Sequence, residues 1–309
     1  MALQRISTLL ASLTLLISFS KGFTVIPSLP SPSTFLNAYG KGMDQDAMME
    51  SDMLVVVDEN DSVVSDIVVS KRLAHSFHAD QPRGIAHRAF SVFLFRKDRK
   101  LLVTRRACSK ITFPGVWTNT ACSHPLHGMI PSEVDDATVA YPHFSRTKHA
   151  VLRKLNHELG IDPQDFTFDQ IQFVSRFHYW AADTLTYGGD TPWGEHEIDY
   201  VFFMHCKEDE PVVLPNPEEV EEIKYVSIGE LKEMFKNPEL RWSPWFRGIM
   251  ESGGFDWWED LTNTMEGKNT HSKIHFFDPP IEHWANYNDG SHSRSTGVMS
   301  VNTASNLPQ

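Results

Sequence analysis

The chain has 309 residues, 41% of them apolar, with 28 Lys and Arg against 40 Asp and Glu for a formal charge of −12. No basic run supplies the broad cationic face that nucleic acid requires, so nucleic acid is excluded as a partner, and an anionic small substrate needs locally placed Lys, Arg or metal. The three cysteines, Cys108, Cys122 and Cys206, lack CxxC spacing. That excludes a disulfide scaffold and a zinc knuckle, points to a reducing compartment, and leaves room for one reactive thiol.

In chain order, residues 3–19, LQRISTLLASLTLLISF, form an apolar run behind Arg5 that is short for a membrane span. Ser- and Pro-rich sequence follows, and the first acidic residue is Asp44. A signal-like run before a transit-like run predicts a presequence over 1–43 that directs the chain to a plastid; a mitochondrial presequence or a secretory signal are the alternatives. No stable span is expected in the mature chain. Residues 53–70 read as a hairpin around Asp58–Asp61, and 87–107 as a second hairpin with a charged turn at Arg96–Arg99. ITFPGVWTNTACSHP (111–125) reads as a strand with irregular ends, and 126–145 as a loop holding several acids. Apolar residues at 151, 152, 155 and 159 predict a helix stopped by Gly160. Strands are expected over 171–181 and 197–206, joined through the Gly-rich loop 186–194. Residues 220–236 read as a strand and then a helix capped by Ser227, and 240–261 as a Trp-rich helical segment. The polar stretch 279–309 is expected to be a disordered tail. Strands, one helix, strands, then helices describe an α/β (mixed α+β) fold, a mixed sheet with helices on its faces.

Two short strings carry candidate chemistry. In Cys122-Ser123-His124 and in Glu195-His196-Glu197, residues two apart share one face of an extended segment. With His87 and His75 they make a candidate His₃Glu₂ cluster, a mixed N and O donor set that suits Mn²⁺, Mg²⁺, Fe²⁺ or Zn²⁺. Taken singly, each string is also compatible with a solvated surface. Arg105, Arg106, Lys110 and Lys71 suit a diphosphate, or else a charged edge that discourages strand pairing. Arg153-Lys-Leu-Asn-His-Glu158-Leu-Gly160-Ile161 has the spacing of a Nudix box core. Lys154 and His157 replace two of its acids, and Glu158 remains. One carboxylate can hold Mg²⁺ through a diphosphate but is a poor platform for activating water. No dinucleotide fingerprint is present, so no flavin is expected.

HRAFSVFLF, KITFPGVWTNTACSHP, RKLNHELGI, WGEHEIDY and LRWSPWFRGIM, in this order, closely resemble the type I isopentenyl-diphosphate isomerases over roughly residues 52–278. The resemblance implies a Nudix-type fold, a mixed sheet sandwiched between helices. It also implies metal-dependent interconversion of isopentenyl and dimethylallyl diphosphate by a monomer. It makes Cys122 and Glu197 the proton-transfer pair, with Tyr179 hydrogen-bonded to that glutamate. His87, His124, Glu195 and Glu197 become metal ligands for Mn²⁺, Mg²⁺ or Zn²⁺, with a fifth from His75 or its neighbour His78. Lys71, Arg106, Lys110 and Ser123 would contact substrate, Glu158 would hold Mg²⁺ on the diphosphate, and Trp245 would face the hydrocarbon, with Trp117 a local alternative. Two stretches depart from the pattern: TLTYGGD (184–190), and the segment before the box helix around YPHFS (141–145). The rival reading, a Nudix hydrolase of a nucleoside or prenyl diphosphate, is opposed by Lys154 and His157.

Overall fold

The computed structural model describes residues 39–206 and 210–292. Its strands are β1 (Met53–Val57), β2 (Val63–Ser70), β3 (His87–Phe95), β4 (Leu101–Arg106), β5 (Trp117–Thr118), β6 (Ala121–Ser123), β7 (Ile171–Ala182), β8 (Gly194–His205), β9 (Val220–Val226) and β10 (Ile274–Phe277). The helices used below are α1 (Gln45–Ser51), α2 (Lys71–Ala74), α3 (Ala137–Ala140), α4 (Ser145–Leu159), α5 (Thr184–Tyr187), α6 (Ile228–Lys236), α7 (Pro244–Ile249), α8 (Phe255–Glu259) and α9 (Leu261–Met265). The main sheet runs β10-β7-β8-β3-β1-β2, with β3 parallel to β8 and β7 antiparallel to it.

Strands β3 and β8 are covered on both faces, which is why HRAFSVFLF is buried throughout rather than alternating with polar residues. Their side chains still alternate between two cores. Phe93, Phe95 and Phe203 pack with Trp245, Phe246, Trp257 and Trp258 of the C-terminal helices. Phe90, Val92, Leu94 and Phe202 pack under Val151, Leu155 and Leu159 of α4. The mixed sheet between helices is therefore as expected. Gly160 ends α4 in the left-handed region at φ 63°, and a Cβ there would stand 2.7 Å from the Leu214 carbonyl oxygen, so both conformation and space require glycine. Ser227 caps α6 as expected, within a reciprocal capping box with Glu230.

Four expectations need correction. The 87–107 hairpin opens after one pair, Phe95 with Leu101. The 117–123 segment wedges in, with β6 on β3 and β5 on β4, and the Thr120 hydroxyl bridges Leu94 N (2.8 Å) and Leu102 O (2.6 Å). The 126–145 segment is not loop throughout. Glu133 is buried against Arg153 (2.6 Å), Asp135 accepts from Thr147 N (2.8 Å), and α3 forms within the loop. The tail does not begin at 279, because Trp284 packs 5.1 Å from Trp180, Ala285 is buried and the Tyr287 hydroxyl donates to Thr191 O at 2.5 Å. A few apolar anchors suffice there because β7, β8 and their loop supply the slots. Residues 293–309 lie outside the described residues.

The fourth correction concerns the presequence boundary at 43. Tyr39 belongs to the folded unit, since its hydroxyl donates to Asp52 at 2.7 Å and its ring lies 4.2 Å from the Arg153 guanidinium. Residues 1–38 of the expected presequence lie outside the described residues. Among the described residues, no helix is long and apolar enough to cross a membrane.

Candidate active site

The sheet register builds the site. His87, at the start of β3, pairs with Glu197, at the start of β8, and Glu197 pairs with Tyr179 on β7. Glu195 and Glu197 share one face of β8, while His196 between them turns to the other and meets His178, Nε2 to Nε2, at 2.9 Å. Strand β6 lays Cys122 opposite Ser91 of β3, which brings His124 in just beyond it. His75 arrives from the C-cap of α2.

His75, His87, His124, Glu195 and Glu197 each present a ligand atom, and these atoms all lie within 4.8 Å of one another in a buried cluster. His75 and not His78 joins it; His78 is exposed. His75 Nδ1 donates to Lys71 O (2.7 Å) and His87 Nδ1 to Ile85 O (2.8 Å), so each Nε2 turns a lone pair inward. His75 Nε2, His87 Nε2 and Glu195 Oε2 are buried without a hydrogen bond, although His75 Nε2 stands 2.6 Å from Glu195 Oε2. Buried donor-set atoms without partners are costly unless something satisfies them. Burial, with His87 and His75 alongside, holds His124 well below the usual imidazole range, in its neutral, ligating form. Three imidazole nitrogens and two carboxylates therefore fit a divalent cation.

Both Glu197 oxygens have close partners. Its Oε1 lies 3.0 Å from His124 Nε2, and its Oε2 accepts the Tyr179 hydroxyl at 2.6 Å. Burial pushes its carboxyl up, and the Tyr179 hydrogen bond opposes that. Cys122 faces the same cleft. Burial raises its thiol to about 12 against the opposing pull of Arg106, so it is a protonated thiol at neutral pH. Arg106 Nη1 is 3.7 Å from its sulfur.

Lys71, Arg106, Lys110, Ser123 and Trp245 line that cleft with Cys122, Glu195 and Glu197. Arg105 does not, because alternation along β4 sends it outward to Glu221 (3.2 Å) and Glu222 (3.3 Å); it is not an edge charge either, since β4 is paired there with both β5 and β9. Trp245 stands 6.4 Å from Tyr179 and 5.4 Å from Phe113, whereas Trp117 lies beneath Lys224 and is absent from the cleft lining. Glu158 lies outside the five-residue cluster and pairs with Lys154 at 3.0 Å.

Residues 85–246 match the NUDIX domain family. The isopentenyl-diphosphate delta-isomerase of Schizosaccharomyces pombe is 39% identical over 233 residues, covering 74% of this chain and 92% of that protein. The chloroplastic isopentenyl-diphosphate Delta-isomerase 1 of Cannabis sativa is 38% identical over 258 residues (77% and 83%), and the isopentenyl-diphosphate Delta-isomerase 1 of Mesocricetus auratus, which carries no such label, is 35% identical over 235 residues (75% and 95%). This chain belongs to the isopentenyl-diphosphate delta-isomerase family.

Within that family site, Thr112 and Lys154 line the cleft without having been anticipated there, and Glu219 lies behind it. Lys154, read in the sequence only as a substituted box acid, lines the cleft. Its signal was the i,i+4 spacing to Glu158, which makes an ion pair on α4. Glu219 is buried and ion-paired with Lys110, with Lys154 at 3.9 Å. Nothing local announces it: 109 residues separate Glu219 from Lys110.

Proposed function

We infer that the chain interconverts isopentenyl diphosphate and dimethylallyl diphosphate by adding a proton to one carbon of the allylic unit and removing one from another. The observation that carries this is the meeting of a thiol and a carboxylate, Cys122 and Glu197, in one cleft lined by Lys71, Arg106 and Lys110. A hydrolase has no use for that pair, and the box has lost the acids that would hold several metals for water attack.

Cys122 and Glu197 work as the two proton-transfer groups, one delivering and one accepting in each direction. Tyr179 holds Glu197 Oε2 and passes a proton through their 2.6 Å hydrogen bond. The tertiary carbocation between the two steps faces the Trp245 ring, whose quadrupole stabilises a desolvated cation by about 2 kcal/mol. Burial of the site keeps water from capturing that cation. Lys71, Arg106, Lys110 and Ser123 bind the diphosphate and oppose its departure, and Glu158 serves the Mg²⁺ that accompanies it. His75, His87, His124, Glu195 and Glu197 would hold Mn²⁺, Mg²⁺ or Zn²⁺, which supplies a fixed positive charge that orients the Glu197 carboxylate.

We further propose that the protein acts as a monomer in a plastid, reached through the signal-plus-transit presequence; the chloroplastic relative supports this. Imaging a full-length fusion to a fluorescent protein tests it, and fluorescence confined to mitochondria or the secretory pathway refutes it. The activity is tested by incubating the full chain with isopentenyl diphosphate and metal in deuterated water. Dimethylallyl diphosphate carrying solvent deuterium is the expected product. Phosphate release without an isomerised product would establish hydrolysis instead.

A further inference from the structure

We propose that Asp183 and Tyr187, beside and within the 184–190 insertion, are positioning residues for Arg106 and Trp245, acting through the Ile111–Phe113 turn and held by the C-terminal strap 278–292. The proposal rests on the reading of Arg106 as a diphosphate ligand and Trp245 as the hydrocarbon wall.

The direction of the Arg106 guanidinium is set by this turn. Its Nε donates to Phe113 O at 2.9 Å and its Nη2 to Thr112 O at 2.8 Å. The same turn carries the Phe113 ring edge-on against Trp245 at 5.4 Å. Phe113 has a left-handed backbone at φ 47°, a conformation that a side-chain-bearing residue keeps only where its surroundings impose it. The imposing group is Asp183, fully buried, whose carboxylate accepts from Phe113 N at 2.7 Å. The other end of the turn is tied by the Tyr187 hydroxyl, which donates to Ile111 O at 2.7 Å.

The insertion is itself clamped from the far side by the strap. Thr184 Oγ1 donates to Glu282 O, Asn286 N to Gly189 O at 2.7 Å, and the Tyr287 hydroxyl to Thr191 O at 2.5 Å. His283 holds Ala182 O at 3.2 Å and sets its own ring 5.7 Å from Phe113. The insertion and the C-terminal strap thus close on each other and on the turn that aims the cleft arginine. A chain of tied groups that ends on Arg106 implies an effect on diphosphate affinity, beyond any effect on stability.

The test uses the full, metal-loaded chain. Asp183→Asn and Tyr187→Phe are compared with wild type for KM, kcat, metal content and competitive inhibition by inorganic pyrophosphate. Asp183→Asn is expected to raise KM and weaken pyrophosphate binding about tenfold, and Tyr187→Phe about threefold, with metal content unchanged. In an Arg106→Lys background, Asp183→Asn is expected to add less than about twofold, because the two act through one group. Unchanged pyrophosphate affinity in both variants, or full additivity with Arg106→Lys, overturns the proposal. Should Asp183→Asn fail to fold, Tyr187→Phe decides alone, since it removes one oxygen from a residue that is 42% exposed. A wild-type chain that binds pyrophosphate without isomerising isopentenyl diphosphate overturns the isomerase reading instead, and the pyrophosphate measurements still decide this one.

Discussion

Cys122 and Glu197 sit in one cleft, yet their surroundings push them opposite ways. Burial keeps the thiol protonated, while the Tyr179 hydrogen bond favours the ionised carboxylate. Two groups whose environments drive them apart in this manner make an acid and a base at the same pH. Cys122→Ala is expected to leave pyrophosphate affinity within about twofold and to lower kcat by at least about 10³-fold, because in the proposed reaction it removes a group that acts only on the reacting carbon. Full turnover in that variant sinks the assignment. Tyr179→Phe deletes one hydrogen bond to a buried carboxylate and is expected to lower kcat by about 10- to 100-fold with a nearly unchanged KM. Steady-state kinetics that show a pure KM effect would instead place Tyr179 in binding.

At the scale of elements, α4 and the entry to β9 share an apolar core and are also joined by charge. Glu219, at the entry to β9, is buried against Lys110, with Lys154 of α4 nearby. Burial pushes its carboxyl up, but Lys110, Lys154 and His157 prevail and hold it well below the ordinary 4.5. A carboxyl depressed by folding contributes stability that is complete above its unfolded value and is lost as pH falls through the folded one. Glu219→Ala is therefore expected to cost about 3 kcal/mol at neutral pH, because it leaves buried ammonium groups unpaired. The gap from wild type in urea unfolding should narrow as the pH drops below the carboxylate range. A gap that stays constant in acid refutes the electrostatic account. The element also shows where local reading stops. The apolar spacing of 151, 152, 155 and 159 was enough to place α4, but its buried Arg153 and Lys154 were intelligible only once Glu133 and Glu219 had been brought to them.

For the molecule as a whole, the five-residue cluster draws on α2, β3, β6 and β8, so filling it ties separate parts of the chain together. Anything that binds the folded chain and not the unfolded one stabilises it by mass action. Chelation is expected to abolish turnover and to lower Tm by several degrees, about 2 kcal/mol if the cation had been present at some fifty times its Kd. Restoring one equivalent of Mn²⁺ or Zn²⁺ should recover Tm, and turnover once Mg²⁺ is also supplied with the diphosphate. Differential scanning calorimetry that finds no change in Tm on chelation would refute a metal in that cluster.

The sequence by itself determined the elements, the family and most of the candidate site. Period-two spacing in Cys122-Ser-His124 and Glu195-His-Glu197 is local geometry and survives in any fold. It could not determine which charges face inward. Arg105 and Arg106 are neighbours in the chain, and only the pairing of β4 with β9 sent one to solvent and the other to Cys122. Nor could it show that the wedge at Thr120 would open a hairpin, that Tyr39 and Trp284 belong to the folded unit, or that Asp183 would reach Phe113 across 70 residues. Those outcomes are long-range: each depends on a partner supplied by a distant segment, and no window of sequence contains both halves.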